Sequence, residues 1–206
     1  YLPQAKAYAK RAIAIDESLG EAHISLAIAD FGQWNWAAAE KEFKRGLELS
    51  PNYAYGHQWY GQYLEIHGRY DAALTENKRA QDLDPLSLTI NTDRAMIHLA
   101  KGDADSAIEA CKRSIEIDPN WYAAHRWLAL IYALQGRTSD GLSEAARSVE
   151  LSNRHSSTLG VLGYVLTQTG KRSEALKIAE ELKIAFSKRQ AKGTDVGWTY
   201  VGLNEK

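Results

Sequence analysis

The chain has one cysteine, Cys111, among 206 residues. A lone thiol cannot close an intramolecular disulfide, so stability must come from packing, and the expected setting is a reducing, cytoplasmic one. Excess charge of either sign is also missing: 25 Lys and Arg stand against 26 Asp and Glu, with no long basic run. A nucleic-acid partner or a membrane surface would call for clustered positive charge, so neither is expected. No apolar stretch reaches the roughly 20 residues that span a bilayer, and no signal peptide opens the sequence. The 15 glycines stand singly, so no phosphate-cradling loop is present. The chain begins with Tyr1 rather than Met and is expected to be a piece of a longer protein.

Proline is scarce, and its placement is informative. Three of the four prolines are Pro51, Pro85 and Pro119, thirty-four residues apart, within the tails LELSPNY, QDLDPLS and IEIDPNW. A fixed period of this length marks a stacked-repeat architecture. With each proline at position 32, repeats cover 20–53, 54–87, 88–121, 122–155 and 156–189. Residues 1–19 form the second helix of a partial repeat and 190–206 the first helix of another, all in one array over 1–206. Residues that played no part in setting this register fall into line. Position 8 reads Ala27, Gly61, Ala95, Ala129, Gly163 and Gly197, and position 20 reads Ala5, Ala39, Ala73, Ala107, Gly141 and Ala175. Small residues at both points let two helices approach closely. Position 15 reads Trp34, Gly68, Gly102, Gly136, Gly170 and Asn204, where glycine suits a left-handed residue ending a helix.

Apolar residues between these marks recur at helical spacing, with no alternating pattern. First helices are predicted near 21–33, 55–67, 89–101, 122–135, 156–169 and 193–203. Second helices are predicted near 3–15, 36–49, 70–83, 104–117, 138–151 and 172–187, with a loop at 188–193.

The stretch WYGQYLEIHGRYDAALTENKRAQDLDP carries this code most fully, and through it the chain resembles the tetratricopeptide repeat (TPR) family. The resemblance implies an all-α fold, a right-handed superhelical solenoid of antiparallel helix pairs. The runs DFGQWNWAAAEKEFKRGLELSPNY and HQWYGQYLE…AQDLDPLSL are also similar to repeat regions of multidomain bacterial signalling proteins. In those proteins the repeats follow a winged-helix, kinase or cyclase domain.

Residues 56–73 crowd aromatics and two histidines together, but Tyr60, Leu64, Gly68 and Tyr70 fall on core positions. His23, His57 and His125 share position 4 in different repeats, at least one helix packing distance of about 8–10 Å apart. That spacing makes a ladder, whereas metal ligands must converge about 2 Å from one ion. No metal site is expected. Cys111 sits at position 24, where Phe43 and Ala145 stand in other repeats, and reads as a buried thiol with no His–Asp partner pattern. No catalytic constellation and no cofactor site is found, and the chain reads as a non-enzyme.

In the family, first-helix positions 2, 5, 9 and 12 line the concave groove. Carried over, these include Glu21, Ile24, Ile28 and Phe31, and then the candidate partner-binding residues Tyr55, Gln58, Gln62, Glu65, Thr92, Met96, Arg126, Leu130 and Tyr164. Tight curvature would bury some of them. Family members that clamp a peptide carboxylate use lysines and asparagines at groove positions, whereas Arg126 is the only cation among these residues. A protein or peptide of neutral or apolar character is the expected partner, held by an interaction scaffold. The alternative is a ligand-sensing or regulatory segment that controls a fused output domain. Trp34 replaces the turn glycine and is expected to cap the turn by packing on the neighbouring repeat, with a surface contact as the alternative. The last helix, GTDVGWTYVGLNEK, should turn Val196, Gly197 and Tyr200 toward a second helix that these residues lack. It would either fold back onto the helix near 172–187 or be covered by self-association through the incomplete end repeats.

Overall fold

A computed structural model describes residues 2–203, which form twelve α-helices and no strand. Asn204 and the outer limits of the array, 1 and 206, lie outside the described residues. The chain divides into two compact units, Tyr1–Gly102 and Asp103–Lys206, a division that falls within the 88–121 repeat.

The first unit holds α1 (Leu2–Ile15), α2 (Gly20–Phe31), α3 (Trp36–Leu49), α4 (Ala54–Ile66), α5 (Tyr70–Leu83) and α6 (Leu88–Lys101). Its helices pack as neighbours in sequence, most extensively α2 on α3 and α4 on α5. The small residues make this pairing close. A Cβ added at Gly61 would lie 3.3 Å from the Ala73 carbonyl. Ala27, Ala39, Ala73 and Ala80 are all fully enclosed. Around them Phe43, Tyr60, Tyr63 and Leu64 form the core, with Tyr60 stacked on Tyr63 at 6.0 Å. The aromatic density of residues 56–73 is thus largely core, each ring removing about 150–250 Å² from water.

The second unit holds α7 (Ala104–Ile117), α8 (Tyr122–Leu134), α9 (Thr138–Leu151), α10 (Ser156–Gln168), α11 (Arg172–Ser187) and α12 (Gly193–Leu203). Here α8 pairs with α9 and α10 with α11. The roles of positions 8 and 20 persist with the glycine on the other helix: a Cβ on Gly141 would lie 3.0 Å from the Ala129 carbonyl. Cys111 is fully buried. Burial pushes its thiol up to about 12, Glu144 adding to the shift and Arg126 opposing it, so it stays a neutral packing group.

The first-helix turns explain position 15. Gly68, Gly102, Gly136 and Gly170 all have positive φ, between +71 and +88°. Trp34 adopts the same left-handed backbone, at φ +64°. Its ring meets Trp36 edge-on at 5.1 Å yet stays 76% exposed. That contact lies within its own repeat, whereas packing on the neighbouring repeat was expected.

The last helix meets the expectation in part: Val196 and Tyr200 are half-buried against the apolar cluster it shares with α10 and α11, and the side at Gly197 is open. α12 lies mainly along α10 and secondarily on α11. Asp195, Thr199 and Leu203, one helical turn apart, are its buried residues, whereas Gly197 has open space beside it. Glycines set this approach: a Cβ on Gly160 would meet the Asp195 carbonyl at 2.4 Å, and one on Gly202 would meet the Thr167 hydroxyl at 2.2 Å.

Candidate functional site

The three position-4 histidines are built into their repeats in one way. His23, His57 and His125 each place Nδ1 2.6 Å from a carboxylate nineteen residues on, Glu42, Glu76 and Glu144. Each places Nε2 3.0–3.2 Å from the position-32 carbonyl of the preceding repeat, Glu17, Pro51 and Pro119. Both ring nitrogens are engaged, so each histidine ties its helix pair to the turn before it. The partner was legible in the sequence: wherever position 4 is His, position 23 is Glu. Where position 4 is Leu159, position 23 is Ile178, and both lie in one apolar cluster.

The inner face of the first unit is centred on α4 and α6. Tyr55, Gln58 and Gln62 succeed one another along one side of α4. Tyr55 is 47% exposed; Gln58, Gln62, Glu65 and Met96 are half-buried. Asp93, one residue beyond a groove position, gathers this face together. One of its carboxylate oxygens accepts from Gln58 Nε2 at 2.7 Å and from Gln62 Nε2 at 2.8 Å. Burial raises the Asp93 carboxyl above its ordinary value, while the two amides pull it down. Burial, followed by the charge of Asp93, pushes Glu65 up to about 7. Sequence reasoning missed Asp93 because its amide partners lie 31 and 35 residues away, on another helix.

Two of the expected residues are not surface groups. Thr92 is buried, its hydroxyl turned onto the Leu88 carbonyl. Leu130 is 1% exposed, because α8 packs on α10 as well as on α9. In the second unit Arg126 lies over the Trp127 ring at 4.4 Å, and burial lowers its pKa. Its Nε is buried without a hydrogen-bond partner. Tyr164 meets Trp198 of α12 at 5.9 Å, so α12 covers part of the α10 face.

A cleft of about 350 Å³ opens beside the Gln58–Gln62 pair, lined also by Tyr55, Trp59, Asp84 and Thr89. Two larger clefts, about 510 and 540 Å³, lie on α1–α3 and are lined by charges of both signs, among them Lys41 with Glu42 and Lys6 with Asp30.

The tetratricopeptide repeat family model matches residues 24–87, 78–120 and 92–156, more than half of the chain. The chain belongs to the tetratricopeptide repeat family. Among solved structures it is similar to PilW, a widely conserved type IV pilus biogenesis factor, with 19% identity and a TM-score of 0.78 over 90% of this chain and 86% of that one. A thermophilic TPR protein of Thermus thermophilus is 20% identical, with a TM-score of 0.74 over 90% and 99% of the two chains. YrrB, described as a TPR protein with an unusual peptide-binding site, is 17% identical, with a TM-score of 0.58 over 84% and 89%. At these identities the likeness is one of fold. No curated protein matches the sequence. TPR repeats are protein-interaction scaffolds, a fold that is typically non-catalytic, and no helix among the described residues is long and apolar enough to cross a membrane.

Proposed function

We propose that this chain is a non-catalytic interaction module of a larger protein, holding a neutral or apolar peptide or helix of a partner on the inner faces of its first helices. The observation that carries the reading is the α4–α6 face, where Tyr55, Gln58 and Gln62 line an open cleft and Met96 sits half-buried on α6. Core positions of a repeat must be apolar to fold, but groove positions need not be. Rings and amides held there supply contact area and main-chain hydrogen bonding. The peptide-binding site in YrrB's description supports the same use of the fold. Arg126 and Tyr164 would serve in the same way within the second unit by itself, while the buried Thr92 and Leu130 drop out of the reading.

Selection of peptides from a random library, followed by affinity measurement, tests this. Replacing Tyr55 and Met96 together by alanine should weaken a selected peptide at least roughly tenfold. Lys112→Ala, an exposed change on second helix α7, should leave it unchanged. Equal affinity across both variants would place binding elsewhere.

A further inference from the structure

We infer that the α4–α6 cleft is selective for a peptide carrying one cationic side chain, lysine or arginine, set among its apolar residues. This rests on the proposed scaffold role and replaces the neutral character of its peptide, at this cleft, by a single positive charge. Three kinds of group meet at the cleft. Tyr55 and Trp59 supply ring faces, 6.0 Å apart and at 70° to one another. Gln58 and Gln62 line the cleft and spend an amide N–H each on Asp93, which leaves their carbonyl oxygens as acceptors. The charged groups are Asp84 in the lining, Asp93 behind the glutamines and Glu65 beside Asp93. No lysine, arginine or histidine lines this cleft among the described residues.

The comparison with the rest of the unit is what gives this its direction. Elsewhere in the unit the buried Asp30 is answered by Lys6 and the half-buried Glu40 by Lys44 and Arg69. The two larger clefts carry their own counter-charges in the same way. The partners shown for Asp93 are two neutral amides, and holding partly desolvated carboxylates without a counter-charge is costly. A guanidinium or ammonium entering beside Gln58 and Gln62 would find acceptor oxygens at the rim, negative charge behind them and two ring faces alongside. Those are the requirements of charge-assisted hydrogen bonding and cation–π contact. An anionic segment would meet the same carboxylates with repulsion.

The test uses four pools of acetylated, amidated heptamers. Their central residue is fixed as Arg, citrulline, Leu or Glu, and the other positions are randomised over Ala, Leu, Ser and Tyr. Pools are recovered on the whole chain and quantified by mass spectrometry. Citrulline keeps the shape of arginine and removes its charge. The Arg pool should exceed the citrulline pool roughly tenfold, with the Glu pool lowest. The Arg preference should collapse in both Asp93→Asn and Glu65→Gln, each of which removes charge with little change of shape; helical circular dichroism verifies their folding. Equal recovery of the four pools, or a preference for Leu, overturns the cationic selectivity and leaves the scaffold reading standing. An Arg preference that survives both substitutions also overturns it, by placing the responsible charge elsewhere. Recovery of no pool overturns the selectivity together with peptide binding at this face.

Discussion

The His125 ring bridges the Glu144 carboxylate through Nδ1, at 2.6 Å, and the Pro119 carbonyl through Nε2, at 3.0 Å. Both partners are acceptors, so satisfying both requires two ring N–H donors, which is the imidazolium form. The Glu144 hydrogen bond accordingly raises the pKa of His125, against the opposing effect of burial. A raised folded-state value gives stability that is complete below the unfolded pKa, about 6.5, and is lost as pH rises through the folded value. His125→Gln should therefore cost about 1 kcal/mol in urea unfolding at pH 6 and clearly less at pH 9. The same cost at both pH values would mean that the ring is neutral in the fold.

Glu65 runs the other way. Its carboxyl is pushed up to about 7, so the folded chain holds this proton more tightly than the unfolded one, whose glutamates titrate near 4.3. Stability from this group is present below that unfolded value and falls as pH rises towards 7. With discount for its partial exposure, Glu65→Gln should stabilise by roughly 1–2 kcal/mol at pH 8 and by little at pH 4.5. A variant no more stable than the parent at pH 8 would show that Glu65 is well solvated.

The turn glycines separate backbone strain from crowding. Gly136 has φ +75° and nothing within 4 Å of where a Cβ would stand. Gly136→Ala should still destabilise by about 1 kcal/mol, from the left-handed backbone alone. Trp34→Gly should be nearly neutral. Relief of about 1–2 kcal/mol of strain is offset by about 0.5–1 from glycine's unfolded-state freedom and about 0.5–1 from the lost Trp36 contact. Thermal unfolding of both variants checks the pair, and a neutral Gly136→Ala would contradict it.

α12 is held by the absence of side chains. Gly160→Ala drives a methyl into the Asp195 backbone, whereas Gly197→Ala enters open space. The first should release α12, seen as faster amide exchange over residues 193–203 and, because Leu159 and Leu203 lose cover, as concentration-dependent mass in sedimentation. The second should do neither. Unchanged exchange in Gly160→Ala would show that α12 does not depend on this approach.

Much of the fold was legible because a thirty-four-residue period multiplies weak signals. Pro51, Pro85 and Pro119 fixed a register in which Gly68, Gly102, Gly136 and Gly170 then fell on left-handed turns. The expected helices match the observed ones closely at both ends. The site was less legible, for identifiable reasons. Asp93 acts across helices on residues 31 and 35 positions away, beyond the reach of local pattern. Leu130 is buried because α8 and α10 lie close, a property of curvature rather than composition. That α12 lies mainly along α10 was not legible, because the approach centres on Gly160, Gly163 and Gly202, which give no apolar signal. Its buried residues Asp195, Thr199 and Leu203 were therefore not singled out, whereas Gly197 has the open side expected of it. The histidine–glutamate ties were visible as paired positions 4 and 23, and needed only a comparison between helices.

The claim at the centre is that the inner face of α4 and α6 receives a partner peptide. NMR of the labelled chain, titrated with a peptide selected from a library, tests it most directly. The account predicts shift changes concentrated at the side-chain amides of Gln58 and Gln62 and the backbone of Tyr55, Asp93 and Met96, with Thr75 and Lys78 on the outer side of α5 unmoved. Shifts centred on α5, with Gln58 and Gln62 unchanged, would contradict it.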